Sequence, residues 1–286
     1  MQNLTLNQTN LEIPPLGDRG LSWEVVEKPI FSNNQPVRGY KALFRSDNGS
    51  LLNVTKASYT PTKNERFLEV VDRMSTITGF PIKCHDEFEG GRKVLAFLEC
   101  TEPIKVQNFD FQDFMLIGNS HDSSTGFFIG NSSKMIRCSN RFSKMFRQLQ
   151  VSHTKNHDSK IDQLLRYFET YQKERKHLFN QMQRMSEIKI DASLSEALVK
   201  RLARMSEEER LGTAEISTRK LNIINDLWKS IDKETLALGD NLFGLFNGVT
   251  HYTTHVKKAK ETTFGNALGT LARINQDAFQ FCESYL

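Results

Sequence analysis

The stretch of sequence that decides the fold runs from Phe114 to His157 and reads FMLIGNSHDSSTGFFIGNSSKMIRCSNRFSKMFRQLQVSHTKNH. In its first half and upstream of it, short β-rich apolar runs alternate with clusters of Gly, Asn and Ser, as in antiparallel strands. Downstream of it, apolar residues recur at the spacing of amphipathic helices. The sequence therefore predicts an α+β protein, with N-terminal hairpins in an antiparallel meander followed by a helical C-terminal half.

Within this stretch the pattern predicts a meander of three short strands and then a helix. The strands are expected at 114–118, 125–129 and 134–138, with the second turn at Gly130–Ser133. Ser139 or Asn140 can cap the helix that follows. One face of that helix would carry Phe142, Met145, Phe146 and Leu149, and the other Arg141, Lys144 and Arg147.

Upstream, the sequence predicts two more hairpins and one helix. A first strand is expected at 21–27, stopped by Pro29. The hairpin strands are expected at 39–45 with 50–55, joined through Asn48-Gly49, and at 80–88 with 92–100. A helix capped by Asn64 would end at Gly79. The domain prediction is a flexible arm at 1–20, an α+β domain at 21–150 and a helical region at 151–286 that can share its core.

Composition narrows the class of protein. The chain has 286 residues, of which 38% are hydrophobic and 25% charged, as in ordinary globular proteins. No apolar run approaches the ~20 residues of a membrane span, and the first residues show no basic and apolar signal segment, so a cytoplasmic protein without membrane contact is expected. The four cysteines form no C-x-x-C pair, and no metal or other cofactor is predicted.

The middle of the chain is basic. Between Lys134 and Lys189 the net charge is +8, whereas the whole chain carries +4. Such asymmetry indicates an anionic partner, although a solvated helix face would explain the same charges. The candidate nucleic-acid-binding residues are Lys134, Arg137, Arg141, Lys144, Arg147, His153 and Lys155. They are interleaved with Phe127, Phe128, Phe142 and Phe146, and single-strand sites combine basic tracks with aromatic platforms. The last two rings fit a helix core equally well.

Several histidines stand near polar groups. His121-Asp122 fits an oriented acid–base pair, or an Asx turn beside a locally bonded histidine. The pairs His153/His157 and His251/His255 have the i, i+4 spacing of metal ligands, but the general-base Glu of a zincin is absent. The chain shows no Walker loop, no dinucleotide fingerprint and no nucleophile elbow. A non-enzyme is therefore favoured, without a predicted catalytic residue.

Four short motifs, in a fixed order, resemble a known family. They are Asn119-Ser-His-Asp122, Ile136-Arg-Cys-Ser-Asn140, His153-Thr154 and Asn247-Gly-Val-Thr-His-Tyr252. Together they resemble the phage/plasmid-like family of unknown function found in phages, plasmids and laterally transferred islands. The chain departs from the family pattern at Ser123, Arg141 and Ser152, where Gly, Thr and Arg are usual. The resemblance implies mobile-element biology in an infected bacterial host and does not specify a reaction.

The leading functional hypothesis is a phage-encoded nucleic-acid-binding protein that binds or anneals single-stranded DNA during recombination or related DNA metabolism. The alternative is a non-enzymatic interaction factor that inhibits or redirects a host protein complex. A metal-dependent nuclease using His153 is a third possibility. The sequence does not distinguish DNA from RNA as the partner, and it leaves a homo-oligomeric state open.

Overall fold

The computed structural model describes residues 21–102, 104–257 and 262–286. The arm predicted for 1–20 lies outside the described residues. The strands of the described chain are β1 Val25–Ser32, β2 Gln35–Arg45, β3 Leu51–Lys56, β4 Ile82–Phe88, β5 Lys93–Glu99, β6 Ile104–Val106, β7 Phe109–Ser120, β8 Phe127–Met135 and β9 Arg141–Val151.

The helices lie mostly in the C-terminal half. They are α1 Asn64–Thr78, α2 His157–Leu164, α3 Phe168–Met185, α4 Ala192–Leu202, α5 Glu207–Leu211, α6 Thr218–Leu238, α7 Leu242–His251, α8 Thr262–Ala267 and α9 Thr270–Glu283, with a π-helical turn at Tyr252–Val256. Within the described ranges, no helix combines the length and the apolar composition needed to cross a membrane.

The strands form two antiparallel sheets. The first sheet has the order β1-β2-β3, and the second has the order β4-β5-β7-β8-β9 with β6 paired to β7. This arrangement confirms the predicted α+β class, and it confirms the β2–β3 and β4–β5 hairpins. Gly79 ends α1 with a left-handed φ of 70°, as predicted.

Two predictions near the N-terminus are wrong. Pro29 does not stop β1, because β1 is an edge strand and a register shift after Pro29 absorbs the missing donor. Asn64 does not cap α1; Lys63 occupies that position. The Asn64 amide instead donates to the Trp23 carbonyl oxygen at 3.0 Å and accepts from His121 at 2.9 Å.

The predicted turn at Gly130–Ser133 is also wrong, because β8 runs through it. A Cβ at Gly130 would lie 2.4 Å from the Lys144 carbonyl oxygen, so this glycine permits the close approach of β9. The β8–β9 turn falls at Ile136–Asn140 instead, where Ser139 has a φ of 59°.

The helix predicted after Asn140 is strand β9. Phe142 and Phe146 share a face in either structure, because a spacing of four residues fits both a helix turn and an even number of strand residues. Phe142 packs edge-to-face on Phe246, with ring centroids 5.0 Å apart, and Phe146 packs near Tyr171. Long-range pairing with β8 decides the strand.

Both faces of the second sheet are covered. One face carries Met115 and Ile129 against α1 and α2, and the other carries Leu116 and Phe128 near Ala267. A third cluster joins strand residues with helical ones: Phe111, Met135, Phe142, Phe243, Phe246, Leu227 and Phe279. Residues from both predicted regions, 21–150 and 151–286, therefore share one hydrophobic cluster.

Candidate nucleic-acid interface and histidine clusters

The seven predicted nucleic-acid-binding residues do not form one patch. β9 has eleven residues, and a strand of that length spans roughly 33 Å. Arg141 begins this strand, whereas His153 and Lys155 follow its other end. Arg137, Arg147 and Lys155 are exposed, and His153 is buried.

Lys134 and Arg141 stand directly opposite each other on β8 and β9. Both line a narrow slot beside Phe97 and Gln112 on one face of the second sheet. Burial lowers the pKa of both cations, and in the described part of the chain no carboxylate forms an ion pair with either. Two like charges opposed across strands destabilise a sheet, so this pair is suited to an anion.

Lys144 lies on the opposite sheet face. Its ammonium lies 4.4 Å from the centroid of the Phe279 ring and 4.0 Å from the Glu283 carboxylate. Burial lowers its pKa. Lys144 thus joins β9 to α9 and does not extend the Lys134–Arg141 pair.

The aromatic residues of the basic segment are core residues. Phe127, Phe128, Phe142 and Phe146 are at most 4% exposed. The core interpretation of Phe142 and Phe146 is confirmed, although on a strand. None of these four rings can serve as a platform for a base.

A surface that the sequence analysis missed lies on the first sheet. The solvent-facing side of β1–β3, called the outer face here, carries residues that alternate with buried ones and meet across the register. These residues are Val26, Lys28, Tyr40, Phe44, Leu51, Val54 and Lys56, with the small side chain of Ala42 buried among them.

The outer face combines exposed apolar groups with cations. Tyr40, Leu51 and Val54 are 51%, 46% and 52% exposed. The Lys28 ammonium lies 5.2 Å from the centroid of the Phe44 ring, and Lys56 pairs with Tyr40 in the register. The outer-face residues include no carboxylate. The alternation of Tyr40, Ala42 and Phe44 was readable from the sequence, but the first strand was predicted to end at residue 27, which left Lys28 outside it.

The first histidine cluster lies at the end of β7, and two of the four family-like motifs meet in it. His121 is fully buried and its ring meets Trp23 edge-on at 5.5 Å. Its Nε2 donates to Asn64 Oδ1, since the Asn64 amide nitrogen already donates elsewhere. His121 Nδ1 and Asn119 Oδ1 have no hydrogen-bond partner within the described chain. This tautomer therefore places a bare acceptor nitrogen in the interior.

His153 joins the same cluster from the segment after β9. Its Nδ1 lies 3.3 Å from the Thr62 hydroxyl, and its ring packs 5.0 Å from that of Tyr59. Burial lowers the pKa of His121 to about 3 and that of His153 to about 4, and each is lowered further by a neighbouring histidine. Both imidazoles are therefore neutral at physiological pH.

Asp122 does not orient His121. Its carboxylate accepts from the Ser124 backbone N–H at 2.9 Å, which confirms the Asx-turn interpretation of this segment. Burial raises the pKa of the Asp122 carboxyl, but the hydrogen bonds from Ser124 and Ser120 and the charge of Lys93 lower it by more. The pKa of Asp122 therefore lies below its usual value. An acid–base pair at His121-Asp122 is not formed.

The second histidine cluster joins the two remaining motifs. Asn140 Nδ2 donates to the Asn247 carbonyl oxygen at 3.4 Å, and His255 Nε2 donates to that of Cys138 at 2.9 Å. The His251 and His255 rings lie 4.9 Å apart. The described residues contain no group of three or more His, Cys, Asp or Glu arranged to hold a metal ion.

These features define an α+β protein with an exposed cationic sheet face and two polar histidine clusters. The chain belongs to the family described as Domain of unknown function (DUF932), which matches residues 51–274. β1 and β2 precede the matched residues. No curated protein and no solved structure matches the chain.

Proposed function

We propose that this protein binds single-stranded nucleic acid on the outer face of the first sheet. The observation that carries the proposal is the combination, on one solvent-facing surface, of exposed Tyr40, half-exposed Phe44 and two lysines without a carboxylate. Surfaces that bind single strands pair aromatic platforms with cations for the phosphates. The outer face exposes aromatic rings together with cations, whereas the rings of the basic segment are buried.

In this proposal each group of the outer face has a role. Tyr40 and Phe44 lie four residues apart on β2, which places them roughly 13 Å apart along one strand. Each ring can stack with a base, while Lys28 and Lys56 flank them and can contact phosphates. A flexible single strand can follow this row, whereas paired bases in a duplex cannot expose their faces to the rings.

The wider biological role rests on the sequence resemblance. Similarity to phage/plasmid-like proteins supports a mobile-element protein of phage DNA metabolism that binds or anneals single-stranded DNA. The exposed cations Arg137, Arg147 and Lys155, and the Lys134–Arg141 pair, would supply additional phosphate contacts.

A second candidate is the host-protein interaction factor. The exposed side chains of Leu51 and Val54 favour it, because solvent-facing aliphatic groups on one face mark protein contacts. The two lysines without an acidic neighbour on that face favour a polyanion instead, and we place the nucleic acid first for that reason.

The test is fluorescence anisotropy of a labelled single strand and a matching duplex at two salt concentrations. We expect tighter binding of the single strand, weakened by salt because bound phosphates release counterions. The variant K28Q/Y40S/K56Q should bind at least about ten-fold more weakly, since one stacked base contributes about 1–3 kcal/mol. The control variant Y167S/K200Q changes an exposed tyrosine and a helix lysine elsewhere and should bind normally.

Two outcomes would overturn the proposal. Flat curves for both nucleic acids at low salt would remove nucleic-acid binding altogether and favour the protein-interaction factor. Normal binding by the outer-face variant, with loss in R147Q/K155Q, would move the interface to the basic segment.

A further inference from the structure

A cleft of about 430 Å³ opens between the β8–β9 turn and helices α6 and α7. Glycines bring the two helices together, since a Cβ at Gly248 would lie 2.5 Å from the Ile231 Cα. The π-helical turn that follows α7 forms one end of the cleft. Such turns inside helices are frequent at functional sites. The lining groups of the second histidine cluster thus face a space of ligand size.

One side of the cleft is cationic. Lys233 Nζ donates to His251 Nε2 at 2.8 Å, so His251 carries its proton on Nδ1, which lies 3.2 Å from the Ser230 hydroxyl. Burial, with Lys233 next, lowers the pKa of His251 to about 4, and the imidazole is neutral. The exposed Arg137 guanidinium, 5.5 Å from the Phe109 ring centroid, lines the cleft as well. Lys233 and Arg137 are therefore two cations that an anionic group can reach.

Next to these cations the cleft offers hydrogen-bond acceptors and a small apolar surface. His255 donates through Nε2 to Cys138, which leaves Nδ1 as an acceptor. Burial raises the pKa of the Glu234 carboxyl, which also lines the cleft, while a hydrogen bond with Asn140 and the nearby charges of Lys233 and Arg137 act to lower it. The exposed Ala237 and the edge of Leu238 supply the apolar surface of the cleft, whereas Met135 is fully buried. A planar group with N–H donors fits this side.

We propose that this cleft binds a nucleoside monophosphate, with its phosphate on Arg137 and Lys233 and its base against Ala237 and Leu238. Glu234 and His255 then accept hydrogen bonds from the edge of the base. The same chemistry belongs to a free nucleotide and to the 5′-phosphorylated end of a strand. The proposal does not rest on the outer face, because no residue is common to both surfaces.

The test is isothermal titration calorimetry of the full chain with dAMP, deoxyadenosine and inorganic phosphate. We expect dAMP to bind, and the other two to bind at least about ten-fold more weakly, because each retains one half of the contacts. Ala237→Phe should abolish binding by filling the cleft from an exposed position. The neighbouring Leu236 is 91% exposed and outside the cleft lining, so L236F is the matched control.

The source of the nucleotide is distinguished by short oligonucleotides with and without a 5′-phosphate, titrated into the outer-face variant K28Q/Y40S/K56Q. A preference for the phosphorylated end assigns the cleft to strand ends, and binding of dAMP alone assigns it to free nucleotides.

Three outcomes would overturn the proposal. Phosphate binding as tight as that of dAMP would leave an anion site only. The absence of heat with dAMP would exclude the ligand, and unchanged dAMP affinity in A237F would place binding elsewhere. None of these results depends on whether single strands bind the outer face.

Discussion

Two pairs of charged groups lie on adjacent rungs of the second sheet but on opposite faces. Asp113 on β7 faces the helices, where Arg175 of α3 donates to its carboxylate and Asn131 donates at 2.5 Å. One rung away, Gln112 pairs with Lys134, and Lys134 faces Arg141. The first pair is compensated within the chain, whereas the second has no described acidic partner.

The comparison distinguishes charges that stabilise the fold from charges that can bind an external ligand. A buried carboxylate with an arginine and an amide donor has its hydrogen bonds satisfied, and removing one partner leaves an uncompensated charge. Two cations opposed across strands repel each other and gain from an external anion. The Asp113–Arg175 pair should therefore stabilise the fold. The Lys134–Arg141 pair should lower the free energy of unfolding and leave two cations available to bind an anion.

The largest effect is expected at Asp113–Arg175. Arg175→Met should lower the free energy of unfolding by about 3–5 kcal/mol, because the buried carboxylate loses its counter-charge. The double variant D113N/R175M should recover most of that loss. Urea unfolding followed by circular dichroism measures both. A loss below about 1 kcal/mol in R175M would contradict a structural role for this pair.

A third kind of buried group, the neutral histidines, should make the stability of the protein fall in acid. The folded-state pKa values of His121 and His153, about 3 and about 4, lie below the usual value near 6.5. The unfolded chain therefore takes up protons first, so stability is full above about pH 6.5 and falls as the pH drops toward 4. We expect a loss of the order of 3 kcal/mol for each histidine.

Urea midpoints at several pH values between about 7 and 4 check this prediction. His121→Gln should flatten the acid dependence, while His177→Gln, at an exposed position on α3, should leave it unchanged. An equally steep dependence in H121Q would show that other groups cause the acid loss.

A smaller effect is expected at Gly130, which permits the close approach of β9 to β8. Gly130→Ala should cost about 1–3 kcal/mol, because its Cβ would press on the Lys144 carbonyl oxygen and push β9 away. Gly49→Ala, in the β2–β3 turn with no atom near the new Cβ, is the comparison for a purely conformational cost. Equal losses in the two variants would mean that the close strand approach is not needed.

The smallest effect is expected at Lys134. Lys134→Gln should raise the free energy of unfolding by about 0.2–1 kcal/mol, because it relieves the repulsion with Arg141. The control is Lys105→Gln, whose lysine faces Asp110 across β6 and β7 with an N–O distance of 3.2 Å. That variant should lose a few tenths of a kcal/mol. A stability loss in K134Q would indicate a compensating carboxylate.

The sequence by itself determined the features that depend on neighbouring residues. The Asn48-Gly49 hairpin, the β4–β5 hairpin and the stop of α1 at Gly79 all follow from local φ preferences and short periodicities. It also determined the order of the strand-rich and helix-rich halves, because the spacing of apolar residues along the chain differs between strands and helices.

Only the tertiary structure decided the rest. The segment 141–151 is a strand because β8 pairs with it, and the spacing of Phe142 and Phe146 fits a helix as well. Long-range contacts brought His121 to His153, brought Cys138 to His255, and left the outer face of the first sheet uncovered. The physical reason is that burial and partner choice are properties of segments far apart in the chain, which a local pattern does not encode.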